Sequence, residues 1–168
     1  MKHLNYFSLL FIVFMLMGCG PSLRPRPGGL PTLAPVSITV TQEGQPLADA
    51  QISLVPSDGS KNWFVGGTTD ASGKVAVTTY GTQRGAPLGK YKVAVTKELH
   101  EGLEEYQAAL AKEDQAAANK IDVKLFSCVE AKYGAAATSP LDIESVKGTK
   151  DYAVDVGKAV KELREFVK

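Results

Sequence analysis

Histidine is nearly missing from this 168-residue chain, with His3 and His100 the only two. Imidazole is the commonest general base and a favoured metal ligand, so most routes to histidine-based catalysis or zinc binding are closed. Cysteine is as scarce, at Cys19 and Cys128. An excess of one charge is also lacking, since 19 basic residues face 18 acidic ones for a formal charge of +1. That balance argues against nucleic acid, and against electrostatic binding to a membrane as the main anchor. There is no Gly-x-Ser-x-Gly elbow, no His-Glu-x-x-His and no glycine-rich phosphate loop before a helix. Gly66-Gly67 falls inside a strand-like run and cannot make such a loop. A lone Asp-x-x-Gly turn at Asp70 lacks the six or more oxygens calcium takes, and no ligand spacing links it to Asp58. The expectation is a non-enzyme with no cofactor and no metal.

Long hydrophobic runs are absent after the first 18 residues. Lys2 and His3 precede the apolar stretch Tyr6 to Met17, and Leu16-Met17-Gly18-Cys19 closes it. The run is short for a membrane span and suits a cleaved signal. Leu16-Met17-Gly18-Cys19 resembles the lipobox of a bacterial lipoprotein signal peptide. The resemblance implies cleavage after residue 18 and a mature Cys19 carrying thioether- and amide-linked acyl chains of the palmitate type. Two or more chains anchor stably, each buried methylene contributing ~0.8 kcal/mol. Cleavage takes away Lys2, so the 19 basic residues become 18 against 18 acidic. Lipidation of Cys19 leaves Cys128 without an intrachain partner, so no disulfide framework is expected. Cys128 is then either a buried inert thiol or a reactive one, with nothing basic beside it to lower its pKa.

Residues 19–35 read as a tether. Pro21, Pro25, Pro27, Pro31 and Pro35 alternate with Gly20, Gly28 and Gly29. Proline removes a backbone donor, so the stretch is expected to stay out of sheets, extended and reaching on the order of 50 Å at ~3.1 Å per residue. Gly20 stands where an aspartate would signal inner-membrane retention. By resemblance to lipoprotein sorting, the cell envelope is the expected location, with the outer membrane favoured in a double-membraned cell.

From residue 36 to 168 the composition is that of one folded domain. Val36, Ile38 and Val40 alternate with Ser37, Thr39 and Thr41, a period-two pattern for a half-buried strand. Further strands are expected at 50–55, 64–69, 74–79, 89–96, 141–146 and 151–156. Seven short strands with turns between them point to a mainly β, antiparallel sandwich. Leu99, Leu103, Tyr106 and Leu110 fall at helical spacing among alanines, so one amphipathic helix is expected over 100–118, inserted after the fifth strand. Val160, Leu163 and Val167 repeat the stripe and predict a C-terminal helix from about Lys158. Both helices are expected to pack on the sandwich, although a partner-binding face would show the same spacing.

The turns carry a second resemblance. Gly44-Gln45-Pro46-Leu47-Ala48-Asp49-Ala50, Thr68-Thr69-Asp70-Ala71-Ser72-Gly73-Lys74 and Gly85-Ala86-Pro87-Leu88-Gly89-Lys90-Tyr91-Lys92-Val93 occur in that order. In order and spacing they resemble the carboxypeptidase regulatory-like domain, a transthyretin-like, immunoglobulin-like β-sandwich. Lys132-Tyr133, Thr138-Ser139-Pro140-Leu141 and Lys147-Gly148 resemble a variant found in small bacterial lipoproteins. The resemblance implies an accessory, non-catalytic module. Two functions fit it: a structural or interaction module for an envelope protein, or a glycan-binding module. Trp63, Phe64, Tyr80 and Tyr133 are the candidate contact residues, because aromatic faces stack on sugars and anchor interfaces. An exposed Trp63 beside a coplanar exposed ring would favour glycan, and a buried Trp63 would favour the module without a sugar site.

Overall fold

The chain enters the domain through β1 (Leu33–Ala34), which pairs antiparallel with Ala86–Pro87. The structure, a computed structural model, describes residues 28–164. The expected signal peptide, Cys19 and the expected tether as far as Pro27 lie outside the described residues, as does Val167. Leu30 and Ala34 are buried. The end of the proline-rich stretch therefore does join a sheet, contrary to expectation. Pro31 and Pro35 bracket β1, and the donors a ladder needs come from the non-proline positions between them.

Alternation then drives the main strands. In β2 (Val36–Gln42), Val36, Ile38 and Val40 are buried and the residues between them are half-buried. The hairpin strand β3 (Gln45–Pro46) folds back on its end. β4 (Gln51–Pro56) buries Ile52 and Leu54 and leaves Gln51 and Ser53 exposed. β5 (Val65–Thr68), β6 (Lys74–Ala76), β7 (Thr78–Thr79), β8 (Gln83–Arg84), β9 (Ala86–Pro87) and β10 (Gly89–Thr96) follow. The stretch expected as a single strand at 74–79 is two. β6 pairs with β2 and β7 pairs with β5, so the chain changes sheet at Val77, whose amide donates to the Val36 carbonyl at 2.9 Å.

One sheet runs β13 (Asp142–Ser145), β10, β4, β5, β7, β8, with every neighbouring pair antiparallel. The other places β14 (Lys150–Asp155) parallel to β2, with β3 and β6 also on β2. Ile38, Val40 and Val154 from the second sheet share one buried core with Ile52, Leu54, Val65, Tyr91, Val93 and Ile143 from the first. The described residues are mainly β and form several sheets and no barrel; the pairing is antiparallel as expected except for β14 on β2, a parallel pair that joins strands far apart in the chain and departs from the expected all-antiparallel sandwich.

A third sheet, β11 (Glu98–Glu101), β12 (Lys124–Val129) and β15 (Ala159–Leu163), pairs its strands only with one another. Its strands correct two helix expectations. The C-terminal helix is absent from 159–163, where β15 pairs with β12 through Phe126 and Leu163. A single short helix is marginal in water, whereas β12 offers a ready row of ladder partners. The inserted helix starts later than expected, because His100 and Glu101 belong to β11. It also breaks in two: α1 (Leu103–Ala111) and α2 (Gln115–Ala118) flank Glu113, whose φ is +58°. Asp114 caps α2 by accepting from the Ala117 amide at 2.9 Å. No residue of α1 is buried, Leu103 and Tyr106 are half-buried, and Leu110 is 39% exposed. The expected docking of that stripe into the sandwich core is therefore not seen. The two short helices contact each other, and Ala118 is the residue they bury.

Candidate functional site

Three of the four aromatic candidates meet at one end of the six-stranded sheet. The loop before β5 turns on an Asx bond, in which the Phe64 amide donates to Asn62 Oδ1 at 2.9 Å. On the neighbouring strand, Thr79-Tyr80-Gly81-Thr82 is a tight turn closed by Thr82 N–H to the Thr79 carbonyl at 3.3 Å. Tyr80 and Gly81 both have positive φ, +54° and +69°, the signs of a type I′ turn, here in a three-residue loop because Thr79 pairs with Gln83. Asparagine or glycine is the usual residue at the Tyr80 position. Phe64 is also left-handed, at φ +50°, and a non-glycine residue there typically costs about 1–3 kcal/mol.

These two strained positions aim rings outward. Phe64 is 71% exposed and Tyr80 36%. Their ring centroids are 5.9 Å apart with planes inclined by 40°. Trp63 is half-buried against the core and meets Tyr80 edge-on at 6.2 Å and 80°. Lys61 Nζ covers its ring at 4.0 Å from the centroid. Trp63 thus buttresses the pair and does not form a coplanar platform with it. Neither of the two outcomes set out for Trp63 is met in full, and the exposed faces belong to Phe64 and Tyr80. Tyr133 is elsewhere: it is buried in a 3-10 turn at Ala131–Tyr133, beneath Lys132 Nζ at 4.8 Å. It is a core residue.

Beside Phe64 runs a groove of about 300 Å³, bounded by Gln51, Ser53, Phe64, Gly66, Thr78 and Gly81. Its floor is bare backbone at Gly66. A Cβ there would lie 2.1 Å from the Ile52 carbonyl oxygen, so the strand has no room for a side chain. Thr78 Oγ1 donates to the Gly66 carbonyl at 3.2 Å. The side chains of Gln51 and Ser53 are exposed and make no hydrogen bond to another described residue. No charged side chain lines the groove.

No family model, curated protein or solved structure matches this chain.

Reading along the sequence missed Lys61 and the polar lining of the groove. One local signal was available: Tyr80-Gly81 between two β-type runs marks a hairpin tip, and a tip residue is exposed. It missed a second concavity too, a cleft of about 360 Å³ bordered by Val95, Glu98, Ser127, Val129, Leu163 and Arg164. Arg164 Nη1 pairs with Glu98 Oε1 at 2.8 Å on its rim, with both side chains substantially exposed, a class of ion pair that contributes little.

Acidic residues elsewhere serve turns. Asp70 Oδ1 accepts from the Ser72 amide at 2.8 Å, the Ser72 hydroxyl at 2.6 Å and the Lys74 amide at 3.0 Å. These bonds, led by the Ser72 hydroxyl, hold its carboxyl below the usual aspartate value. Asp58 is lowered by the Ser60 amide in the same manner. Among the described residues no group of three His, Cys, Asp or Glu side chains is placed to hold a metal ion. Cys128 is half-buried in β12, more open than an inert core thiol.

Proposed function

We propose that this chain is a lipid-anchored envelope protein whose β domain is a non-catalytic interaction module. In this reading β2, β4, β5, the β6–β7 stretch, β10, β13 and β14 are the seven strands of the immunoglobulin-like or transthyretin-like sandwich of a carboxypeptidase regulatory-like domain, and the short strands β3 and β8 and the third sheet with its helical pair are elaborations. The box Leu16-Met17-Gly18-Cys19 supports the anchor, and the proline- and glycine-rich stretch after it supports a spacer that lifts the domain off the lipid. Gly20 in place of aspartate supports the outer membrane where a cell has two.

One observation carries the interaction role. The Phe64 ring is 71% exposed on a backbone held in the left-handed region. A ring in water adds nothing to the core, and a strained backbone beneath it lowers stability. Such a placement is explained by contact with something outside the domain. The alternative that the module binds glycan gains from the uncharged groove beside that ring.

The experiment has two arms. Cys19→Ala is expected to lose label from an alkyne fatty acid and to leave the membrane fraction, and label retained on the mutant removes the anchor from the proposal. A photo-cross-linker at Lys61 is expected to give envelope adducts that vanish when Phe64 is changed to Gly. Adducts unaffected by that change place the interaction elsewhere on the domain.

A further inference from the structure

We infer that the Phe64–Tyr80 pair and the groove beside it form a binding site for a neutral oligosaccharide chain. The inference rests on the reading of this surface as an interaction site and names its ligand.

The chemistry of the lining selects the class. A sugar ring has one face of C–H bonds and a rim of hydroxyls. It needs an aromatic face for the first and neutral donors and acceptors for the second. Phe64 supplies a face open to solvent, and Tyr80 continues it at an incline of 40°. Ser53 and Gln51 supply an exposed hydroxyl and an exposed amide with no hydrogen bonds of their own to other described residues. Thr78 Oγ1 spends its proton on the Gly66 carbonyl, at 3.2 Å, and keeps acceptor capacity. The bare backbone at Gly66 lets a ring settle close to the sheet, and the 2.1 Å approach to the Ile52 carbonyl forbids any side chain that would fill that space.

Other ligand classes fit less well. Phosphate, uronate or nucleic acid would want cations in the groove, and none lines it. Lys61 lies over Trp63 at 4.0 Å, outside the groove lining. A protein partner of ordinary affinity needs roughly 800 Å² on each side. A groove of about 300 Å³ is instead at the small end of small-molecule sites, which run from about 300 to 1,000 Å³.

The backbone makes the test clean. Phe64 and Tyr80 occupy positions that glycine and asparagine suit better. Phe64→Gly and Tyr80→Asn therefore remove the rings without asking the fold to accommodate a worse backbone. Maltotetraose, cellotetraose and chitotetraose are titrated against the full chain in detergent, with denaturant midpoints measured on the same samples. The expected result is binding to at least one of the three, weakened about tenfold or more by Phe64→Gly, with the midpoint close to that of the parent. Binding to none of the three at millimolar concentration overturns the inference. Binding that survives Phe64→Gly overturns it as well. If no sugar binds but the Lys61 cross-links to envelope still depend on Phe64, the sugar assignment falls and the interaction surface stands. If neither is seen, both fall.

Discussion

The amide of Tyr80 donates to the carbonyl of Phe64 at 3.0 Å, and each of these residues has a φ near +50°. The bond extends the β5–β7 ladder by one step beyond Val65 and Thr79. It makes the two rings cross-strand neighbours, so they are held at a fixed spacing in place of waving on a loop. Two aromatic residues in left-handed backbone at one sheet end are a local conflict with propensity. Such conflicts concentrate where a surface is used.

Removing either ring should therefore barely move stability. Replacing Tyr80 with Asn relieves about 1 kcal/mol of backbone strain and forfeits about 0.5–1.5 kcal/mol of ring contact with Trp63 and Phe64. The two nearly cancel. Urea midpoints for Tyr80→Asn and Phe64→Gly are expected within about 1 kcal/mol of the parent. A loss near the 3–5 kcal/mol of a core aromatic truncation would make these rings structural.

Gly66 should be intolerant for the opposite reason. The Cβ of alanine would meet the Ile52 carbonyl oxygen at 2.1 Å, and backbone on the neighbouring strand cannot swing aside. Gly66→Ala is expected to cost about 3 kcal/mol, the upper part of the usual overpacking range. An unchanged midpoint would mean that β4 and β5 are looser than described.

The helical pair should contribute little through its outer stripe. Leu110 is 39% exposed, and exposed substitutions usually stay within about 0.5 kcal/mol. Leu110→Ala is expected in that range. Ala118 is fully buried, so Ala118→Leu should cost about 1–3 kcal/mol by overpacking. Equal midpoints for the two variants would show that the pair does not pack as described.

Tyr91 sets an alkaline limit. Its hydroxyl donates to the Pro87 carbonyl at 2.8 Å, and burial, helped by the Asp58 charge, pushes its pKa from 10.0 up to about 12. The unfolded chain thus loses this proton first. Between pH 10 and about 12 the unfolded state binds fewer protons than the native one, so stability falls as pH rises through that window. Tyr91→Phe lacks the titration. Its midpoint at pH 8 should be lower than the parent's by about 1 kcal/mol for the lost hydrogen bond, and its decline above pH 10 should be shallower. Parallel declines would remove Tyr91 as the cause.

Asp70 acts at the acid end. Its carboxyl is lowered by the Ser72 hydroxyl, the Lys74 amide and the Ser72 amide. A depressed carboxyl contributes stability above its ordinary value of 3.8, and that contribution is lost as pH falls through the folded value. Asp70→Asn keeps an acceptor oxygen without the titration. Melts between pH 7 and pH 2 are expected to show a smaller acid loss for the variant, and identical losses would refute the assignment.

The β character of this domain was legible because strand burial has period two. Ile38, Ile52, Leu54, Val93 and Val154 are buried where alternation places them. The turn at Asp70 was legible because an aspartate three residues before a glycine closes on its own backbone. What alternation does not encode is which strand pairs with which. The parallel alignment of β14 on β2, the change of sheet at Val77 and the pairing of Leu33–Ala34 with Ala86–Pro87 all join residues far apart in the chain. The strand at 159–163 read as a helix because Val160, Leu163 and Val167 are spaced for one. Only the neighbouring β12, supplying ladder partners, decided otherwise.

The site divides the same way. The residue string alone singled out Trp63, Phe64, Tyr80 and Tyr133 as the aromatic residues to test, and it showed that basic and acidic residues balance and that histidine occurs only twice. Tertiary structure decided that Tyr133 is core, that Trp63 is a buttress, and that Phe64 and Tyr80 face water beside an uncharged groove. The physical reason is that a ring's exposure depends on which strand lies across from it and on the sign of its φ. Both are settled by strand pairing, and residue type specifies neither.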